Sequence, residues 1–255
     1  EQALSQALNM EFSAEWKNSV FANIPQARTY DTLKVLEQKN IVVPTIMNNN
    51  YEGMQEFLNM LNWSVEQTKY PVAIRVPNSA LISTGIEDKT NYSILNKFKI
   101  ESRGEKVAIL GLGNFLPLAK QVAKEVESKL GFKPTVINPI FMTGVDKELL
   151  EDLKSNHSIV ITLEDGVLDG GFGEKIARFY GNSDVKVLSY GAKKEFPDRV
   201  PLKELHEKYR LRKDLILEDL EEIIDINLEN PEDKIIKALE KNTNNIINSI
   251  RFICH

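Results

Sequence analysis

The stretch from Ile159 to Gly173, IVITLEDGVLDGGFG, constrains this chain more than any other. Ile159–Leu163 is a short, β-branched apolar run, the pattern of a strand buried on both faces. Glu164-Asp165-Gly166 is expected to end that strand with two carboxylates and a turn residue. Gly170, Gly171 and Gly173 then lead into a helix through Phe179. Three glycines so close together predict a positive φ or a close backbone approach. Strand, acidic turn, glycine loop, helix is how an open α/β sheet presents groups at the carboxyl ends of its strands. A tight strand-to-helix connection without chemistry of its own has the same signature.

The neighbouring sequence extends the alternation. KVAILGL at 106–112 is a buried strand turned by Gly113-Asn114, and Leu116–Leu130 is a helix stopped by Gly131. Pro134–Asn138 is a strand, Asp146–Ser155 a helix, and Asp184–Ser189 the next strand. Strands alternating with helices predict a parallel sheet with right-handed crossovers. Upstream, Glu1–Trp16 has apolar residues at helical spacing, Ser19–Ala22 and Ile41–Pro44 read as short strands, and Pro25 opens a helix. Tyr51–Thr68 is an amphipathic helix carrying Met54, Phe57, Leu61 and Trp63, and Pro71–Pro77 is a strand fenced by prolines. Asn78–Arg103 is polar and reads as an irregular linker. Beyond Pro201 the chain is helical and charged, with Ile235, Ile236, Leu239, Ile246, Ile247 and Ile250 at helical spacing in the tail.

Composition narrows the classes. A net charge of -5 shows no basic excess and argues against nucleic acid. The single Cys254 excludes an internal disulfide and a cysteine metal cluster, which suits a reducing cytoplasm. No apolar run approaches the roughly 20 residues of a membrane span. No His/Cys/Asp spacing suggests a metal site, and His157, ahead of a buried strand, is expected to cap or lie at the surface. Gly111-Leu112-Gly113 lacks the third glycine of a dinucleotide loop, since position 116 is Leu. The chain begins with Glu1 inside a helical pattern, as a fragment of something larger would.

Residues 105 to about 224 resemble the C-terminal domain of the transketolase superfamily, most closely that of the 1-deoxy-D-xylulose-5-phosphate synthases. KVAILGLGN, TVINPIFMTGVDKELL, HSIVITLEDGVLDGGFG and VKVLSYGAKKEFPDRVPLKELHEKYRL carry the resemblance in matching order and spacing. YPVAIRVP at 70–77 resembles the end of that family's pyrimidine-binding domain. Glu1-Gln2, Ser19-Val20-Phe21 and Arg28-Thr29-Tyr30-Asp31 resemble its Glu-Gln helix, strand and Arg-x-Tyr-Asp segment.

The resemblance implies two parallel-sheet α/β domains of transketolase type, the first incomplete. Residues 1–80 would be a partial pyrimidine-binding domain, 81–104 a linker, 105–224 the C-terminal domain and 225–255 a helical tail. It implies a thiamine-diphosphate enzyme that adds a pyruvate-derived enamine to glyceraldehyde 3-phosphate with loss of CO2, in isoprenoid-precursor and thiamine biosynthesis. Glu1 would act catalytically on the cofactor's aminopyrimidine. Phe21, the one aromatic residue near the pyrimidine position, would join it in holding the cofactor. Arg28 and Arg75 would hold anionic substrate groups, and Mg2+ ligands are expected outside this segment. A cytoplasmic homodimer is expected, without nucleic-acid or membrane partners.

The sequence also departs from the family. Aromatic residues are missing around Ala22–Ala27, and Lys39-Asn40 passes directly into Ile41, so a loop is absent or a piece is missing there. Asn78 stands where the family's Y-P-R-G has its phosphate-holding Arg. A split transketolase-type subunit, and a degenerate homologue serving as a binding or regulatory module, therefore remain alternatives.

Overall fold

The computed structural model describes residues 41–42, 44, 53–76, 89–197 and 199–228, with the side chains of 53–55 and 225–228 left undescribed. Glu1, Phe21 and Arg28 lie outside the described residues. In chain order the elements are α1 (Gly53–Glu66), β1 (Lys99–Ser102) and β2 (Lys106–Gly111). A 3-10 turn (Gly113–Phe115) leads into α2 (Leu116–Leu130), followed by β3 (Thr135–Asn138) and α3 (Lys147–Leu153). Then come β4 (His157–Val167), α4 (Phe172–Tyr180), β5 (Lys186–Ala192), α5 (Leu202–Lys208) and α6 (Lys213–Leu228). The chain divides into two compact units, 1–213 and 214–255. In the second, Ile216, Leu217, Leu220 and Ile223 are buried along α6.

The α/β expectation holds. A five-stranded sheet runs β1-β3-β2-β4-β5, parallel except for β1, which pairs antiparallel with β3. After β2 the chain moves to one side through α2 to reach β3. It then crosses back through α3 to β4 on the other side. The direction therefore reverses between β2 and β4, where open α/β sheets place their sites. Every residue of β2 after Lys106 is buried, as a central strand covered on both faces requires. The main core joins Leu110, Ile137, Leu150, Val160, Phe172, Ile176 and Tyr180. At roughly 25 cal/mol per Å2, burying each large side chain contributes about 1.5–3 kcal/mol. Gly131 closes α2 at φ 73, the left-handed cap its sequence predicts. Asp146 starts α3 by accepting the Leu149 N–H, and also accepts that of Phe98.

Three local expectations are corrected. First, the stretch read as irregular linker supplies β1. It is only four residues long and polar (KIES), too short for periodicity to reveal, and its charges suit a sheet edge. Second, Glu164-Asp165-Gly166 does not end the strand. β4 continues to Val167, which pairs with Ala192, and the irregular register between Leu163 and Val167 is a bulge. β5 runs on to Ala192 and offers a ladder partner past the acidic pair, so pairing resumes after the interruption. Third, His157 is buried as the first residue of β4. Its Nδ1 lies 3.1 Å from the Leu153 carbonyl and its Nε2 2.8 Å from Thr135 Oγ1. A carbonyl only accepts, so Nδ1 carries the proton and Nε2 accepts from the Thr135 hydroxyl. That hydroxyl oxygen in turn accepts from the Gly104 N–H at 2.9 Å.

The upstream segments pack onto the carboxyl ends of the strands. Residues 71–76 run alongside Val42 and Pro44: Ala73 N–H donates to Val42 O and Arg75 N–H to Pro44 O. Pro44 bridges to Phe141 in antiparallel sense. A second core joins Val42, Met60 and Tyr92 with Ile140 and Phe141, flanked by Phe57, Trp63, Ile74 and Leu95. Trp63 stacks edge-on against Phe141 at 6.4 Å, a core role. Ile140 enters this core with φ 63, a costly conformation for a β-branched residue, on the order of 1–3 kcal/mol. Asn138 Oδ1 fixes the turn by accepting the Ile140 N–H at 3.0 Å.

Candidate functional site

At the carboxyl end of β4 the bulge separates two adjacent carboxylates. Glu164 points inward and is 2% exposed. Its Oε2 accepts the Phe172 N–H at 2.9 Å and its Oε1 the Gly173 N–H at 2.8 Å. These are orphan donors of the first turn of α4, which has no cap from its own N-cap residue, Gly171. The strand thus supplies the cap, and the helix dipole favours the negative charge there. The close approach demands glycine: a Cβ at Gly171 would lie 2.5 Å from Val167 O and 2.6 Å from Glu164 Oε2. Gly170, with φ 71, turns the chain into that approach, and its N–H donates to Glu174 Oε2.

Burial pushes the Glu164 carboxyl above the usual carboxylate range. The amides of Gly173 and Phe172 pull the other way, as do the charges of Lys175 and Arg75. Buried at 2% exposure and bonded to two amides of α4, Glu164 organises the loop and is sealed from solvent.

Asp165 faces outward. Arg75 Nη2 lies 2.7 Å from Asp165 Oδ2 and 3.2 Å from its carbonyl oxygen. Their side chains are 29% and 45% exposed. Nearby, Lys175 Nζ donates to Met142 O at 3.1 Å. The described part of the site thus has one oriented, half-exposed guanidinium and a buried carboxylate that fixes the loop. Such a set can bind an oxyanion.

Of the residues expected at a site, Arg75 stands at this edge. Glu1, Phe21 and Arg28 lie outside the described residues. The part that Glu164 and Asp165 play was not assigned, although the two acids ahead of a glycine loop were the available signal. Among the described residues no group of three or more His, Cys, Asp or Glu side chains could hold a metal ion. No helix of the described residues is long and apolar enough to cross a membrane. With no metal-binding set and with Glu164 committed to two amides, the described residues do not by themselves fit thiamine diphosphate and Mg2+, and they carry no step through them.

Residues 96–216 match the family described as "Transketolase, C-terminal domain". They belong to that family. The transketolase C-terminal domain begins just before β1 and ends in α6, so the sheet described above lies within it. Over 181 residues the chain is 30% identical to a 1-deoxy-D-xylulose-5-phosphate synthase of Clostridium beijerinckii, covering 70% of this chain and 28% of the relative. It is 39% identical over 106 residues to one of Acidobacterium capsulatum, covering 42% of this chain and 17% of that one. The chain therefore spans under a third of the length of these curated relatives. A structure titled "Split gene transketolase, inactive beta4 tetramer" shares the fold with a TM-score of 0.57 at 22% identity, over 72% of this chain and 57% of that one. A transketolase variant of Pichia stipitis in complex with fructose 6-phosphate gives a TM-score of 0.52 at 13% identity, over 77% and 27%. The resemblance and the α/β class read from the motifs are borne out.

Proposed function

We propose that this chain is the pyrimidine-side and C-terminal portion of a 1-deoxy-D-xylulose-5-phosphate synthase-like transferase. It would condense pyruvate with glyceraldehyde 3-phosphate with loss of CO2, in isoprenoid-precursor and thiamine biosynthesis. The observation that carries the reading is the 181-residue match to the Clostridium beijerinckii synthase, which extends beyond the C-terminal domain into the upstream segments. The division proposed keeps a pyrimidine-side part in 1–80, a C-terminal domain reaching about 224 and a helical tail at 225–255, with the expected start at 105 moved ahead of β1. In this reading Glu1 acts on the aminopyrimidine, Phe21 packs on it, and Arg28 and Arg75 hold substrate anions. Thiamine diphosphate supplies the carbanion chemistry, and Mg2+ with its ligands comes from outside this segment. The working unit is a cytoplasmic homodimer with its active sites between subunits.

A second reading is a split subunit whose partner chain carries the diphosphate site. It is favoured by the larger share covered of the split-gene transketolase chain, 57% against 28% of the synthase. The test is turnover by the chain in its native assembly. Calorimetry should show thiamine diphosphate binding in the presence of Mg2+, and pyruvate should release labelled CO2 on addition of glyceraldehyde 3-phosphate. Activity that requires a second, separately encoded chain selects the split form. An assembly that binds no thiamine diphosphate sinks both enzyme readings and leaves the non-catalytic module.

A further inference from the structure

We propose that the Arg75–Asp165 ion pair is a register lock, which fixes where the upstream segment 71–76 lies against the carboxyl end of the C-terminal domain. The lock acts in the ligand-free chain, so it stands or falls apart from the proposed activity.

The backbone ladder that holds this segment is short. Val42 N–H donates to Pro71 O at 3.0 Å, Ala73 N–H to Val42 O at 2.9 Å and Arg75 N–H to Pro44 O at 3.0 Å. The parallel pattern begun at the Val42–Val72 bridge calls next for a bond from residue 44, and Pro44 has no N–H to give. The apolar side chains discriminate little. Val72, Ile74 and Val76 recur at every second position, so a slip by two residues leaves β-branched side chains in the same row. A slip that carried Arg75 into the place of Ala73 would put a charge into the main core, which excludes it. The opposite slip meets no such barrier. It puts Ala73 in the place of Arg75 and Pro71 in that of Ala73, at the loss of one backbone hydrogen bond.

The ion pair separates these two registers. Arg75 Nη2 lies 2.7 Å from Asp165 Oδ2 and 3.2 Å from the Asp165 carbonyl, so both of its protons are spent on this one residue. Two residues of slip carry the root of the side chain roughly 6–7 Å along the segment and break that two-point contact. The receiving side is held in place. The β4 bulge sends Glu164 inward, where two bonds to α4 tie it down, and leaves Asp165 facing out. The lock sits at the end of the segment, where Val76 is already exposed.

Amide hydrogen exchange, followed by 15N NMR on the full chain, reads the register directly. In the slipped register the Ala73 N–H keeps a carbonyl partner, Pro44 O, while the amide of residue 75 loses its own. Asp165→Ala should lower the protection of the Arg75 amide about two- to fivefold, the factor of a part-exposed ion pair. Ala73 and the amides of β2 and β4 should keep their protection. Adding Arg75→Met to Asp165→Ala should cause no further loss at residue 75, since the pair is already broken. Salt gives the same reading without any substitution: wild-type protection at Arg75 should fall as salt screens the pair, and that of Asp165→Ala should not. Equal protection of residue 75 in wild type and Asp165→Ala overturns the proposal, as does wild-type protection indifferent to salt. A loss shared equally by Ala73 overturns it too, because the segment would then lift off rather than slip. A loss that extends through β2 and β4 marks a weakened sheet and likewise refutes a lock.

Discussion

Glu164 shows how one buried carboxyl can tie stability to pH. Its pKa is raised in the folded chain because burial disfavours the charged form. A folded state that holds the proton more tightly gains stability from it below the unfolded carboxylate range. That gain is lost as pH rises through the raised folded value. Glu164→Gln should therefore flatten the stability profile from the carboxylate range upward. Its new NH2 also faces an amide donor of α4, so it should cost about 1–3 kcal/mol. Urea denaturation of both proteins across pH checks this, and parallel profiles would refute the assignment. His157 has the opposite sign. Burial lowers its pKa, with the Leu153 carbonyl opposing. The folded state binds fewer protons, so the stability it lends is full above about 6.5 and is lost as pH falls through the lowered value. A histidine NMR titration should place His157 below about 6.5. The burial of His157 was not legible from the sequence, because its partners are Thr135 on another strand and a backbone carbonyl.

At the scale of elements, the glycine loop before α4 is the tightest joint. Gly171→Ala would press a methyl against Val167 O and Glu164 Oε2, and neither can retreat. It should destabilise by about 1–3 kcal/mol. Gly181, at the other end of α4, has its nearest neighbours at 3.5 Å and a φ of -55. Gly181→Ala should be neutral or stabilising by up to about 1 kcal/mol. Chemical denaturation of the two variants gives the comparison directly. The element order from β2 to β5 was legible because apolar strands and amphipathic helices alternate. β1 was not, since four polar residues at an edge take their structure from the neighbour they pair with. The β4 bulge was hidden for a related reason: its continuation depends on the length of β5, not on the local acidic turn signal. Arg75 was legible as a candidate cation, but its partner lies ninety positions away, and no local pattern encodes that pairing.

For the molecule as a whole, the proposed homodimer should bury upward of about 2,000 Å2, as obligate interfaces do. Sedimentation velocity on the intact protein at micromolar concentration should then give a dimer, and a monomer would count against it. The placement of Ile140 and Phe141 also bears on how the chain is made. Met60 and Tyr92 leave the ribosome on the order of 50 residues or more before the two side chains that complete their cluster. At about 5–20 residues per second, synthesis leaves those apolar surfaces waiting for roughly 3–10 s. The cluster side chains of Val42, Met60 and Tyr92 should thus stay open to chaperones during translation until the turn after β3 arrives.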